Sequence, residues 1–176
     1  MTVEIRSLWL MPCPEDEAFL ASLVSELARR FGTPNFAPHL TLRGDTDATF
    51  EHLHDDARAA AAASQRFTEP ITGIETTEAF FRAFYLRFAV SAPLSRLKRR
   101  LDPQAERFTP HVSLLYGNLP ETVKAPVSVE LEQRLAGRTI SFDRICVVRS
   151  GQDIPIADWT IQAWVPLPDN NGKLAF

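Results

Sequence analysis

The sequence predicts an α+β fold built as two similar lobes of antiparallel sheet, with helices on the outer faces and a central cleft between them. Three observations predict it. The pentapeptide Pro38-His39-Leu40-Thr41-Leu42 returns as Pro110-His111-Val112-Ser113-Leu114, both reading Pro-His-apolar-hydroxyl-Leu. The two histidines lie 72 residues apart in a chain of 176, so the repeat divides it crudely into halves. Around the copies, hydrophobic periodicity runs in a repeating order: strand, helix, His-bearing strand, helix, two strands, then helix, His-bearing strand, helix, two strands.

Taken in order, Val3 to Met11 alternates loosely, with Val3, Ile5, Ser7, Trp9 and Met11 on one face and Pro12 at its end, which suits a first strand. Trp9 is then either core or the floor of a pocket. From Pro14 to Phe31 apolar residues fall at helical spacing, acidic Glu15, Asp16 and Glu17 open the run, and Arg29 and Arg30 close it before Gly32 and Pro34. The first His-bearing strand covers His39 to Arg43 and stops at Gly44-Asp45. An alanine-rich second helix covers Thr49 to Ser64. Ile71 to Phe81 and Phe84 to Val90 read as two strands joined tightly at Arg82-Ala83. Pro93 to Leu101 is a short basic helix. The second His-bearing strand covers Pro110 to Gly117, a helix occupies the second half of Glu121 to Leu135 from about Pro126, and Arg138 to Arg149 and Asp158 to Pro166 form the last two strands. Residues 1–168 make one bilobal domain and 169–176 a polar tail.

Composition narrows the function. A net charge of -3 argues against an extended nucleic-acid surface, which shows as clustered Lys and Arg. A small phosphorylated ligand needs only a local positive site, and the basic residues are mostly arginines, which suit phosphate oxygens. Cys13 and Cys146 form no Cys-x-x-Cys pair, so neither zinc ribbon nor redox motif is indicated. No apolar stretch approaches the ~20 residues of a membrane helix, and charged Glu4 and Arg6 interrupt the opening apolar run. The expectation is a cytoplasmic monomer with no membrane partner.

The repeated motif carries the chemistry. In a strand, side chains alternate between faces, so His39 and Thr41 share one face, as do His111 and Ser113, while Leu40, Val112 and Leu114 take the other. Two such imidazole-hydroxyl pairs facing each other make a phosphate site. His52 and His54 lack the pattern. His52 and Asp56, four apart on a helix, could share a cation, but no third ligand accompanies them, and a solvated surface pair is expected. Tyr116 falls on the wrong face for the cleft unless a twist, a bulge or the strand end intervenes.

Two His-x-Ser/Thr motifs in a chain of this length resemble the 2H phosphoesterase superfamily. Pro110-His111-Val112-Ser113-Leu114-Leu115-Tyr116-Gly117 together with Ser7-Leu8-Trp9-Leu10-Met11-Pro12 resembles its branch of plant and yeast cyclic phosphodiesterases. The resemblance implies a bilobal fold with both motifs lining a central cleft, hydrolysis of cyclic phosphates, and neither metal nor other cofactor. It makes His39, Thr41, His111 and Ser113 a catalytic tetrad and Tyr116 a substrate contact. Trp9 and an aromatic at Phe81 or Phe84 match further substrate-contacting positions.

The chemistry of the residues agrees. Opening a cyclic phosphodiester needs water deprotonated on one side of phosphorus and the leaving alkoxide protonated on the other. Two histidines can divide these roles, and hydroxyl donors can serve the non-bridging oxygens. The sequence leans to His111 as base and His39 as acid, with the reverse left open by the near symmetry. The expected substrate is a small 2',3'-cyclic nucleotide or ADP-ribose 1'',2''-cyclic phosphate. The alternatives are an RNA-end-processing or 2',5'-linkage 2H protein, for which an RNA terminus would be the partner, and a non-catalytic phosphate-binding module.

Overall fold

The computed structural model describes residues 3–169, so the expected polar tail lies, apart from Asp169, outside the described residues. The strands are β1 (Arg6–Pro12), β2 (Leu40–Thr46), β3 (Phe67–Thr76), β4 (Phe84–Phe88), β5 (His111–Leu115), β6 (Thr139–Arg149) and β7 (Thr160–Pro166). The helices are α1 (Pro14–Phe31), α2 (Phe50–Ala62), α3 (Ala92–Leu101) and α4 (Glu121–Leu135).

Local sequence accounts for most of these limits. Pro14 pre-sets the first turn of α1, its acidic first turn and basic last turn complement the helix dipole, and Gly32 ends it in the left-handed region at φ 64°. Thr49 caps α2 by accepting a hydrogen bond from the His52 amide, and Ser91 caps α3 through the Leu94 amide.

Two expectations are corrected. Helix α4 begins at Glu121 and passes through Pro126 instead of starting there. Proline removes one N–H from the ladder, but Thr122, whose carbonyl loses that partner, is exposed, so water can replace it. Lys124, Val127, Leu131 and Leu135 bury the helix's inner face, and the Lys124 ammonium donates to the Thr77 carbonyl at 2.8 Å. The second correction concerns β3 and β4, which are not joined by a tight turn at Arg82-Ala83. Strand β3 ends at Thr76, and a wider loop carries a 3₁₀ turn at Phe80–Arg82. The Thr77 amide and hydroxyl both donate to the Arg82 carbonyl, closing that loop at its base.

All strand pairings are antiparallel, in the order β1-β2-β5-β4-β3-β6-β7 with a further β1–β6 pairing. Six strands therefore close into a barrel, and β7 extends one side of β6. Long β6 makes closure possible by pairing with β3 over its first residues and with β1 along most of its length. The lobes meet again where β2 lies beside β5, through the single register pair Leu40↔Val112. Each is the residue after its motif histidine, so the repeat is arranged about a local two-fold centred on that pair. The helix-covered face holds the main core, including Leu8, Leu10, Leu40, Leu42, Phe84, Val112, Leu114 and Leu115. On the other face Trp9, Met11, Cys146 and Val148 form a smaller cluster. Cys13 and Cys146 are both free thiols. Among the described residues no helix is long and apolar enough to cross a membrane.

Candidate active site

The antiparallel register at Leu40↔Val112 sets His39 across from Ser113 and Thr41 across from His111. Leu40 and Val112 are fully buried beneath them, and burial of such side chains stabilises each strand by about 1.5–3 kcal/mol. Core packing on one face thus holds the four polar residues on the other. They line one cavity of about 360 Å³.

Both imidazoles are oriented by the same device. His39 Nδ1 lies 2.7 Å from the Ala37 carbonyl, and His111 Nδ1 lies 2.7 Å from the Thr109 carbonyl. In each case the acceptor precedes the motif proline, which biases that residue to extended backbone. A carbonyl can only accept, so Nδ1 carries the proton and Nε2 is left to act as acceptor. His39 also stacks flat on Trp9, with ring centroids 3.5 Å apart and planes 5° from parallel. His111 stands edge-on to Tyr85 at 5.2 Å, and the Tyr85 hydroxyl is anchored by donation to Glu75 Oε2 at 2.6 Å.

Burial pushes the His39 pKa down to about 4; its bond to Ala37 opposes this, and the neighbouring His111 adds to it. The His111 pKa is lowered too, by burial first, opposed by the Thr109 bond and assisted by the positive charge of Arg82. Both imidazoles are therefore neutral at neutral pH. Only 7% of His39 is exposed, whereas His111 is half-buried, so a proton arriving in the cavity is accommodated more easily on His111. The Ser113 hydroxyl donates to the Phe81 carbonyl at 2.9 Å and must release it to serve a ligand.

Tyr116 lines the same cavity, and a β-bulge puts it there. Between β4 and β5 the register changes from Tyr85↔Ser113 to Phe84↔Leu115, so one extra residue of β5 is accommodated at Leu114. Leu114 and Leu115 then both face the core, and Tyr116 returns to the cleft. It stacks on Phe36 at 3.7 Å and meets Phe81 edge-on at 5.1 Å. Burial raises its phenol far above the usual range, with a smaller opposing effect of Ser113.

Of the residues singled out from sequence, His39, Thr41, His111, Ser113, Tyr116, Trp9 and Phe81 border this cavity. Phe84 does not. It is 0% exposed within the main core, because as first residue of β4 it pairs with Leu115 on the helix-covered face. His52 and His54 lie on α2; His52 approaches Asp56 at 3.4 Å and His54 stacks on Phe50. Among the described residues, no three His, Cys, Asp or Glu side chains are grouped to hold a metal ion.

Three contributors escaped sequence reasoning. Arg82, hidden in what read as a tight turn, is the one cation among the described residues that line the cavity. Trp159, assigned to the last strand, precedes β7; its indole donates to Ile154 and its ring stands near Trp9, Phe81 and Tyr116. Asp45 enters with the loop Ser150-Gly151-Gln152. The aromatic character of the 80–85 segment pointed towards Arg82; nothing local pointed to the other two.

Comparison with known proteins places this geometry. TT0787 of Thermus thermophilus superposes with a TM-score of 0.59 at 16% identity, over 94% of this chain and 99% of that one. Escherichia coli LigT complexed with ATP gives a TM-score of 0.60 at 16% identity, over 94% and 98%. LigT complexed with 3'-AMP gives 0.58 at 14%, over 96% and 100%. These likenesses establish a shared fold. No curated protein sequence matches the chain. The family model for the 2'-5' RNA ligase superfamily matches residues 14–154, which contain both His-x-Ser/Thr motifs and the strands that face them towards one another, and the chain belongs to that superfamily, the 2H phosphoesterases.

Proposed function

We propose that the protein hydrolyses a small cyclic phosphodiester, either a 2',3'-cyclic nucleotide or ADP-ribose 1'',2''-cyclic phosphate, to a phosphomonoester without a metal ion. The observation that carries this reading is the paired Nδ1-to-carbonyl anchoring of His39 and His111, which leaves two Nε2 atoms for one cavity. The deeper burial of His39 favours it as base and His111 as acid, the reverse of the leaning from sequence. In this scheme water attacks phosphorus and gives its proton to His39 Nε2. The ring P–O ester bond breaks as His111 Nε2–H protonates the departing alkoxide. The bound phosphate's negative charge favours protonation of His111, offsetting its burial. Thr41 and Ser113 hydroxyls donate to non-bridging oxygens, and Arg82 balances their charge. Acid, base and charge stabilisation are thus all supplied by side chains.

The test is incubation of the purified protein with 2',3'-cyclic nucleotides and with ADP-ribose 1'',2''-cyclic phosphate in EDTA, with products followed by ³¹P NMR. Turnover to a monoester is expected, with His39→Ala and His111→Ala each losing about 10²–10⁴-fold in kcat and His52→Ala retaining the wild-type rate. Absence of turnover, or equal damage from His52→Ala, would refute the reading. RNA-end processing is the second reading, favoured by the family description and disfavoured by the net charge of -3. Preference for a cyclic-phosphate-ended oligonucleotide over the mononucleotide would select it.

A further inference from the structure

Antiparallel pairing gives the cleft a direction. Along the β2–β5 seam, the aromatic group of Phe36, Phe81 and Tyr116 lies at the end where β2 begins and β5 finishes. Asp45 lies at the opposite end, beyond Thr41. Strict alternation from His39 and Thr41 would bring Arg43 into the cleft next. Two irregularities in the β1–β2 ladder prevent this: the register runs Trp9↔Thr41, Leu8↔Arg43, Arg6↔Thr46. Arg43 is carried to the helix side, 3.9 Å from Asp56 of α2 and 3.5 Å from the Leu101 carbonyl. Gly44 and Asp45 border the cleft instead. The bulges therefore replace a positive charge with a negative one at this end.

The carboxylate is held in place. Asp45 Oδ2 accepts the Gln152 amide at 2.9 Å and packs against Gly151, where a β-carbon would come within 3.3 Å of that oxygen. Among the described residues Arg82 is the one cation lining the cleft, and it acts on His111 at the other lobe, so Asp45 has no cationic partner among the described residues of the lining. An anionic group at this end meets a fixed like charge, whereas a hydroxyl meets an acceptor.

We infer that Asp45 is a specificity-determining residue that selects nucleoside 2',3'-cyclic phosphates with a free 5'-hydroxyl over those continuing as a 5'-phosphate. The inference rests on the cyclic-phosphodiesterase reading and narrows it. With the cyclic phosphate between the histidines and the base at the aromatic end, the ribose 5' carbon is directed to the Asp45 end. There the 5'-hydroxyl donates to the carboxylate, and a phosphate is repelled. The same repulsion disfavours a pyrophosphate-bearing ADP-ribose derivative and any longer RNA.

The experiment compares kcat/KM for adenosine 2',3'-cyclic phosphate and its 5'-phosphorylated counterpart, with wild type and Asp45→Asn, at low and high salt. Asn keeps an acceptor for the Gln152 amide and removes the charge. Wild type should prefer the 5'-hydroxyl compound by on the order of tenfold at low salt, as expected for one like-charge contact in a solvated cleft. Raising the salt should shrink that preference, and Asp45→Asn should largely abolish both the preference and its salt dependence. Equal use of the two compounds by wild type, or an undiminished preference in Asp45→Asn, overturns the inference while leaving the phosphodiesterase reading intact. Hydrolysis of neither compound overturns the inference, and failure on ADP-ribose 1'',2''-cyclic phosphate as well removes the phosphodiesterase reading.

Discussion

The enclosure of His39 ties the site's chemistry to the stability of the fold. Its pKa falls from the ordinary 6.5 to about 4 because burial against Trp9 disfavours the imidazolium. The unfolded chain titrates near 6.5, so between these values the unfolded state binds more protons than the folded state. Stability is then fully present above pH 6.5 and is lost as pH falls towards 4. A difference of about 2.5 units at 1.36 kcal/mol each limits the loss to about 3 kcal/mol, of which about 2 kcal/mol is reached by pH 5. The perturbation is His39→Asn, whose amide can still donate to the Ala37 carbonyl but does not titrate. Urea unfolding followed by far-UV circular dichroism at pH 7.5 and pH 5.0 measures the loss in each protein. Wild type should lose about 2 kcal/mol more than His39→Asn over this interval. If both lose the same amount, the imidazole is not held neutral by its surroundings and the assignment of His39 as base loses its electrostatic basis.

Further outcomes follow from the same geometry. The profile of kcat/KM against pH should be a bell lying to the acid side of 6.5, with an acid limb near 4 where His39 gains a proton and an alkaline limb where His111 loses one; an optimum above pH 7 would contradict this division of roles. Phe84→Ala should cost about 3–5 kcal/mol in urea unfolding, as a fully buried aromatic, while folded protein keeps its kcat; loss of kcat without loss of stability would return Phe84 to the site. Gly117→Ala should destabilise by about 1–3 kcal/mol, since a β-carbon there would come within 2.9 Å of Thr33 Cγ2 and 3.3 Å of Leu115 Cδ2; a neutral effect on unfolding would show that the turn after Tyr116 yields freely.

Much of the site was legible because its elements obey local rules. The period of two in Pro-His-apolar-hydroxyl-Leu separates the residues facing the cleft from Leu40, Val112 and Leu114, and the 3.6-residue period with its end signals marks α1 from Pro14 to Phe31. These depend on interactions a few residues apart, and the duplication announces that two such strands belong together.

Local sequence therefore settles which residues share a face and that two imidazole-hydroxyl pairs exist. Long-range packing settles which strand lies beside which, that the lobes' strands close into one barrel, and where the alternation breaks. The bulge at Leu114 turns Tyr116 into the cleft, and the irregular β1–β2 register removes Arg43 and admits Asp45. Closure also carries Phe84 into the core and brings Trp159 beside Trp9, a residue 150 positions earlier. Bulges and closure arise from packing between distant strands, where one inserted residue reverses every later side chain. That choice is made by the helix-covered core accepting Leu114 and Leu115 together, a contact no window of neighbouring residues contains.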